Sequence, residues 1–382
     1  MAFLNILLKW FSRLILPGNS KRILVVRLDA IGDYILFRNY LPYIKEYARE
    51  KKYKITFLGN NIYKEIAEAY DSKFVDDFIW VNPKILQSNL FNFKLEKIKL
   101  IVKLKLNRFD ILINSVHSRT TETDKFISAL GCKFLIGSLG DKTNFNTVND
   151  FELSKNNYDQ LINVDDISHF EFFRNRTFFK NLFPEFSINP SLSLPAILNK
   201  KSKERNIVIF PGAGSILRRW DPGNFAAIIN SIGDVFDWAK FNFLIIGSFE
   251  EKNIALEIKE KIKSGIRYQD MAGSLNLVQI VDLIANSFLL ISNETSAVHI
   301  AAAVQTTTIC ISNGNHFARF NPYGPKVSKV IYTVYPNEDF YNEAFIKELI
   351  YKSAYQSDFD INSITVDRVK SKAFEIILHK LK

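Results

Sequence analysis

Cysteine is scarce in this sequence, since Cys132 and Cys310 are the only two among 382 residues. They belong to no Cys-x-x-Cys or Cys/His cluster, so the sequence indicates neither a disulfide framework nor a zinc site, and a reducing compartment fits best. Gly-x-Ser-x-Gly, His-Glu-x-x-His and calcium-loop motifs are also missing. Hydrolase and metalloenzyme functions are therefore left without support.

Long apolar runs are missing as well, because none approaches the roughly 20 residues that span a bilayer. The most apolar stretch, residues 1–20, is interrupted by Lys9 and Arg13 and is followed by no small-residue cleavage site. We therefore expect neither a transmembrane helix nor a secretory signal there. Its apolar residues share one helical face, which is typical of an amphipathic helix at a membrane interface or of a helix packed on the protein's own surface.

Low-complexity tracts are absent too, and the hydrophobic share of 47% is typical of a globular protein with sizeable cores. A chain of this length is expected to form two domains. The net charge of +10 favours an anionic partner: nucleic acid, an acidic membrane surface or a phosphorylated small molecule. Because the lysines are spread along predicted helices and tails, and not gathered beside aromatic side chains, we expect no nucleic-acid partner.

Short apolar strands alternate with amphipathic helices from residue 21 onward, which predicts βαβ units and parallel sheets. The alternation weakens over 141–205, where 186–205 have the composition of a linker, and then resumes. The predicted fold class is α/β with two doubly wound sheets. The predicted divisions are an amphipathic segment at 1–20, a first domain at 21–190, a second domain at 205–345 and a C-terminal helical segment at 346–382.

Open parallel sheets bind ligands beyond the carboxyl ends of their strands, so polar residues that directly follow strands are site candidates. The first candidate stretch is RLDAIGDY, in which Asp33 is predicted to begin a helix that runs to Glu50. Asp33 is either a helix-capping acid or a general base at the edge of the sheet, with Gly32 allowing a ligand to approach closely. Arg27 and Asp29 are further binding candidates or, alternatively, a structural ion pair.

The second candidate stretch is FPGAGSILRRW, residues 210–220. Its small residues, including Gly214 and Ser215, expose backbone N–H groups to a phosphate, and Arg218 and Arg219 supply positive charge. The alternative is an ordinary turn with surface arginines. Trp220 is expected to pack in the core.

The third candidate stretch is GSFEEKN, in which Glu250 or Glu251 follows a predicted strand. An acid in this position accepts hydrogen bonds from ribose hydroxyls in nucleotide-binding α/β folds. The alternative is an acid that only stabilises the first turn of a helix.

The fourth candidate stretch is LLISNETSAVHIAAA, residues 289–303. Thr295 and Ser296 lie where a helix should begin and present N–H groups and hydroxyls to a diphosphate. His299 is one turn further on the same face. A histidine on such a closely packed helix is either a buried core residue or part of this anion site.

In this order, the four stretches, with MAGSLNLVQIVDLIANS between the third and the fourth, resemble glycosyltransferase family 9, the heptosyltransferases of the inner core of lipopolysaccharide, over about residues 21–325. The resemblance implies a glycosyltransferase-B architecture, with two tandem Rossmann-like domains facing a cleft. The first domain would bind a glycan or glycolipid acceptor and the second a nucleotide-sugar donor, ADP-linked in the family. It further implies an inverting, metal-independent enzyme that needs no cofactor and transfers heptose or a related sugar to lipopolysaccharide or another surface glycan.

The resemblance also implies residue roles. Asp33 would be the catalytic base, and Gly32, Arg27 and Arg38 would contact the acceptor. The donor-binding residues would be Gly214, Ser215, Arg218, Glu250, Leu275, Glu294, Thr295, Ser296 and His299.

The family's Asp-Thr-Gly-x-x-His motif falls on the last four of these donor-binding residues, with Glu294 in place of aspartate and Ser296 in place of glycine. Arg218 replaces the usual lysine, which keeps the charge and alters the geometry. The longer side chain of Glu294 is expected to reshape the sugar pocket.

Two alternatives of similar fold stay open at this point: a nucleotide-sugar-binding relative without transferase activity, and an epimerase. The basic charge and the N-terminal segment predict a cytoplasmic protein in peripheral contact with the anionic inner face of the cytoplasmic membrane.

Overall fold

A computed structural model of the chain describes residues 21–87, 91–164, 169–195, 205–351 and 357–382. The predicted amphipathic segment at 1–20 lies outside the described residues. The described residues form two compact units. Residues 21–87, 91–164 and 172–190 form the first unit, and residues 169–171, 191–195, 205–351 and 357–382 form the second.

The first unit is built on a parallel sheet with the strand order β3-β2-β1-β4-β5-β6. After its first two residues, the central strand β1 is a continuous run of buried residues, as expected for a strand covered on both faces by helices. The strands are β1 (Lys21–Arg27), β2 (Tyr53–Asn60), β3 (Asp77–Val81), β4 (Ile111–Asn114), β5 (Phe134–Ser138) and β6 (Gln160–Ile162).

Within the described residues, eight helices flank this sheet: α1 (Ile31–Phe37), α2 (Leu41–Lys51), α3 (Lys64–Asp71), α4 (Lys84–Gln87), α5 (Phe91–Asn107), α6 (Thr121–Ser128), α7 (Val148–Lys155) and α8 (Glu171–Leu182). Glu171, the first residue of α8, groups with the second unit. Aliphatic and aromatic side chains of β1, β3, β4, α5 and α6 form one core cluster. Burial of these apolar surfaces stabilises the layered arrangement.

The second unit repeats the same plan, with the strand order β12-β11-β10-β7-β8-β9 and parallel pairing throughout. When its strands are numbered from one at β7 and the order is read from β9, it is 3-2-1-4-5-6, the same as in the first sheet. Its strands are β7 (Asn206–Phe210), β8 (Asn242–Ile245), β9 (Tyr268–Asp270), β10 (Leu289–Asn293), β11 (Thr308–Ile311) and β12 (Ile331–Val334).

Its helices are α9 (Pro222–Val235), α10 (Lys252–Lys259), α11 (Leu277–Ala285), α12 (Ser296–Val304), α13 (Glu343–Tyr351) and α14 (Val366–Leu381). The last helix buries Val369, Ala373, Ile376 and Ile377 in the core cluster of the second sheet. Of the C-terminal residues predicted as a helical segment, the described ones thus belong to the second unit.

The predicted α/β class with two doubly wound parallel sheets is confirmed. The predicted helix from Asp33 to Glu50 begins earlier, at Ile31, and is interrupted by a 3-10 turn at Arg38–Tyr40. The weakly patterned segment 141–205 contains α7, β6 and α8, which the sequence analysis did not separate. Among the described helices, none combines the length and apolar content that a bilayer span requires.

Each sheet reverses its strand order once, between β1 and β4 in the first and between β7 and β10 in the second. At such a point, the loops after two neighbouring strands run to opposite faces of the sheet. A crevice forms between these loops beyond the carboxyl ends of the strands, and open α/β sheets bind their ligands there. The topology therefore directs attention to the loops after these four strands.

Candidate functional site

The loop after β7 is fixed at both ends by one buried side chain. Asn293, the last residue of β10, donates from Nδ2 to the carbonyl oxygen of Pro211 at 2.6 Å and accepts from the backbone N–H of Trp220 at 3.2 Å. The Trp220 ring is buried, and its Nε1 donates to the carbonyl oxygen of Ile364 at 2.8 Å. Trp220 is therefore a core residue, as predicted, and the loop between these anchors has a defined path.

The two arginines of this loop have different surroundings. Arg219 donates from Nε to the carbonyl oxygen of Ala213 at 3.0 Å, so it holds the loop together. Arg218 is half-buried, and its Nε is buried without a hydrogen-bond partner among the described residues. Ser215 caps the intervening 3-10 turn by accepting from the N–H of Leu217 at 3.3 Å. Arg218 therefore retains hydrogen-bonding capacity for an anion.

The loop after β10 starts helix α12 beside this arginine. Thr295 is the N-cap and accepts from the N–H of Ala297 at 3.1 Å, and Ser296 is the first helical residue. The remaining N–H groups of the first turn and the helix dipole favour an anion at this end.

Glu294 is buried directly before the cap and accepts a hydrogen bond from the Ser312 hydroxyl. Burial raises the pKa of its carboxyl group to about 7, although hydrogen bonds from Ser312 and Asn321 and the charge of Arg218 act in the opposite direction. Glu294, which stands in place of the family's aspartate, thus has a carboxyl group that titrates near neutral pH.

His299 is buried on α12 and contacts the Tyr323 hydroxyl through Nδ1 at 2.6 Å. Burial first, and then the charge of Arg218, lower its pKa to about 4, so the imidazole is neutral at pH 7. His299 is therefore a buried residue with a partner, and its role in an anion site stays a prediction.

A third loop, after β11, joins the same cluster and was missed by the sequence analysis. Asn313 donates from Nδ2 to the carbonyl oxygen of Leu217 at 3.3 Å, and Ser312 donates to Glu294. The ring of Phe320 lies 5.8 Å from that of His299 and 5.8 Å from that of His316. The signal was present in the sequence, because SNGNHFARFNPYG directly follows a predicted strand and is rich in Asn, Gly and Pro.

Glu250 and Leu275 lie outside this network of contacts. Glu250 is exposed after β8, and hydrogen bonds with its own backbone and with Ser248 lower its pKa. Glu251 is buried instead and accepts from the N–H of Ser248 at 2.6 Å in a capping box. Leu275 is half-buried beside Asn276, the cap of α11. Of the two acids predicted for ribose, only Glu250 therefore has an exposed carboxylate.

In the first unit, Asp33 lies in the first turn of α1 and is half-buried. The N-cap is Ala30, which makes no side-chain hydrogen bond, so Asp33 stabilises the helix start by charge and not as the cap. The preceding residue, Gly32, is buried. Burial and then Asp29, with Asp33 contributing, raise the pKa of the Tyr63 hydroxyl well above its usual value.

Arg27 and Arg38 are both buried, and each forms an ion pair with an aspartate. Arg27 lies 2.6 Å from Asp29, and Arg38 lies 2.7 Å from Asp71. Removing either partner would leave an uncompensated buried charge, so a structural role explains both arginines. Their predicted contact with an acceptor stays a prediction without support from their positions.

A cavity of about 190 Å³ lies at the point where the strand order of the first sheet reverses. Leu28, Leu86 and Val116 contribute apolar walls, and the polar lining comes from Asp29, Asn114, Ser118, Arg119, Thr120, Glu122, Thr123 and Asn144. Most of these polar residues belong to NSVHSRTTE, directly after β4. The sequence analysis missed this stretch too, although it satisfies the same rule of polar residues after a strand.

The comparisons with known proteins agree with the motifs. The model of glycosyltransferase family 9 (heptosyltransferase) matches residues 167–349, just under half of the chain. Among curated protein sequences, none matches this chain.

Three solved structures share the fold at low sequence identity. A glycosyl transferase family 9 protein from Veillonella parvula is 15% identical, with a TM-score of 0.66, over 94% of this chain and 98% of that one. E. coli heptosyltransferase WaaC with ADP-2-deoxy-2-fluoro heptose is 14% identical, with a TM-score of 0.67, over 93% and 99%. E. coli ADP-heptose lps heptosyltransferase II is 15% identical, with a TM-score of 0.62, over 94% and 100%.

The family match covers the loop after β10, the loop after β11 and the Arg218 loop, which are the three loops that the structure joins. The resemblance predicted from the motifs is confirmed. Residues 167–349 match the model of glycosyltransferase family 9 (heptosyltransferase), and this match supports a glycosyltransferase.

Proposed function

We propose that the protein transfers heptose or a related sugar, with inversion, from an ADP-linked donor to a hydroxyl group of lipopolysaccharide or another surface glycan. The observation that carries the proposal is the cluster at the carboxyl edge of the second sheet. There the charge of Arg218, a half-buried arginine with an unsatisfied Nε, acts on Glu294, which directly precedes the cap of α12, and on the neutral imidazole of His299. This combination suits the diphosphate of a nucleotide-sugar.

The identity of the donor is supported by the solved structures. Those titles name ADP-heptose for one E. coli enzyme and ADP-2-deoxy-2-fluoro heptose for the other. Exposed Glu250 is the candidate for the ribose hydroxyls, and buried Glu294 for the sugar. Because Glu294 is one methylene longer than the family's aspartate, a donor sugar related to heptose fits the proposal as well as heptose itself.

The proposed reaction is a single displacement. Asp33 removes the proton of the acceptor hydroxyl while the hydroxyl oxygen attacks the anomeric carbon of the donor sugar. The bond from that carbon to the diphosphate oxygen breaks on the opposite face. Arg218 and the N–H groups at Thr295 stabilise the negative charge that develops on the leaving diphosphate. In this scheme the protein's own groups balance that charge, and a metal ion is not required.

The acceptor is proposed to bind the first unit. The cavity beside Asp29 offers carboxylates, amides and hydroxyls together with apolar walls. Such a lining suits a sugar, whose hydroxyls need hydrogen-bond partners and whose C–H faces need apolar contact. We also propose that the protein works in the cytoplasm at an anionic membrane surface, which its net charge of +10 favours.

The experiment is a panel of ADP-, GDP- and UDP-linked sugars, measured first by calorimetric binding and thermal shift. An ADP-linked sugar should bind and raise the melting temperature. Transfer from that donor should then give a product of inverted anomeric configuration, read from its proton coupling constants. Binding of no member of the panel, or a product of retained configuration, would contradict the proposal.

A further inference from the structure

We propose that His316 contacts the diphosphate of the bound donor, so that the loop after β11 is a third side of the phosphate site. This inference rests on the proposed function and adds to it a residue from outside the motifs that carried the resemblance.

The first step is the position of the loop. Ser312 and Asn313 tie its start to Glu294 and to the carbonyl oxygen of Leu217, which directly precedes Arg218. Further along, the ring of Phe320 packs against the rings of both His299 and His316, nearly perpendicular to the ring of His316 at 82°. The loop is thus connected to both of the other phosphate-facing loops by direct contacts.

The second step is that His316 is held in place by a built turn. The backbone of Gly314, His316 and Ala318 has φ angles of 85°, 60° and 64°. The carbonyl oxygen of His316 accepts from the N–H groups of Arg319 at 3.1 Å and Phe320 at 3.2 Å. At Gly314 a Cβ would lie 2.0 Å from the buried ring of Phe340, so the turn is fitted closely against the unit's interior.

The third step is charge. Burial, then Arg319, then Arg218 lower the pKa of His316 to about 4, so its imidazole is neutral at pH 7. Arg319 is paired with buried Glu171 at 3.2 Å. The Arg218 Nε has no hydrogen-bond partner among the described residues. A phosphate at this point would accept from Arg218 and from the imidazole N–H, and its negative charge would offset the field that keeps His316 neutral.

The test compares a nucleoside diphosphate with its monophosphate. We first identify which of ADP, GDP and UDP binds the wild-type protein most tightly. That diphosphate and the corresponding monophosphate are then each titrated calorimetrically into wild type and into His316→Gly. Glycine removes the imidazole without straining the left-handed backbone. We expect the diphosphate to bind about 10-fold more weakly to the variant, as for loss of one hydrogen bond to a charged group, and the monophosphate to bind unchanged.

Two further variants protect the interpretation. Lys240→Gly replaces another residue with positive φ, exposed and distant in sequence, and should bind both nucleotides as wild type does. His316→Asn keeps a side chain that tolerates the left-handed region and should lose diphosphate affinity as the glycine variant does.

Equal affinities of wild type and both His316 variants for the diphosphate would overturn the inference while leaving the proposed function intact. An equal loss for the diphosphate and monophosphate would overturn it too, because the effect would then not depend on the second phosphate. Failure of wild type to bind any of the three diphosphates would overturn the proposed function and this inference together.

Discussion

At the scale of single residues, the site combines groups whose charge depends on burial. Glu294 is the clearest case, because burial raises the pKa of its carboxyl group from 4.5 to about 7. The folded protein then keeps a proton that the unfolded chain releases, so this group's contribution to stability falls as the pH rises from 4.5 to about 7. The sequence analysis located Glu294, but only the structure shows the burial that changes its protonation.

Replacing this acid by its neutral amide should remove that pH dependence. Relative to wild type, the free energy of unfolding of Glu294→Gln should increase by about 3 kcal/mol between pH 4.5 and pH 7, at 1.36 kcal/mol for each unit of pKa shift. Urea unfolding at several pH values measures this. Glu257→Gln, at an exposed position of the same unit, is the control. A difference between Glu294→Gln and wild type that stays constant with pH would show that Glu294 is ionised in the folded protein.

At the scale of elements, most strands and helices follow from their apolar pattern, and the exceptions have physical reasons. β9 is three exposed residues and β6 is three residues with only one buried, so neither gives a detectable run of apolar residues. The loops after β4 and β11 were missed for a different reason. Both are polar stretches that follow strands, but they belong to none of the motifs that carried the resemblance, and their contacts and cavity appear only in the structure.

The loop after β7 gives a prediction at this scale. At Gly212 a Cβ would lie 1.5 Å from Oε1 of Glu251, whereas at Gly214 the nearest atom would be Nη2 of Arg218 at 3.4 Å. Gly212→Ala should therefore destabilise the protein by about 1–3 kcal/mol, as overpacking does, and Gly214→Ala should cost much less. Urea unfolding of the two variants decides it. Equal stabilities would mean that Glu251 moves aside freely and that its capping box contributes little.

At the scale of the whole molecule, two sheets with one strand order explain why Asp33, Arg218 and Thr295 lie in or just after the loops that follow β1, β7 and β10. This much could be predicted from the sequence, because the alternation of strands and helices fixes the parallel topology. The cavity of the first unit could not, since its walls come from segments far apart in the chain.

The net charge supports a prediction about membranes. The protein should sediment with vesicles that contain anionic phospholipid and not with neutral ones, and salt should weaken the association through screening. Deleting residues 1–18 should reduce binding further if the amphipathic segment contributes apolar contact. Equal binding to anionic and neutral vesicles would contradict an electrostatic attraction to the membrane.

The central claim is that the second unit holds the donor while Asp33, in the first unit, supplies the base. The most direct measurement is turnover and donor affinity of Asp33→Asn, with an ADP-linked donor that the wild-type protein uses. Loss of the base should lower kcat by about 10²–10⁴-fold and leave the calorimetric Kd of the donor unchanged. Turnover close to that of wild type, or loss of donor binding in this variant, would contradict the account.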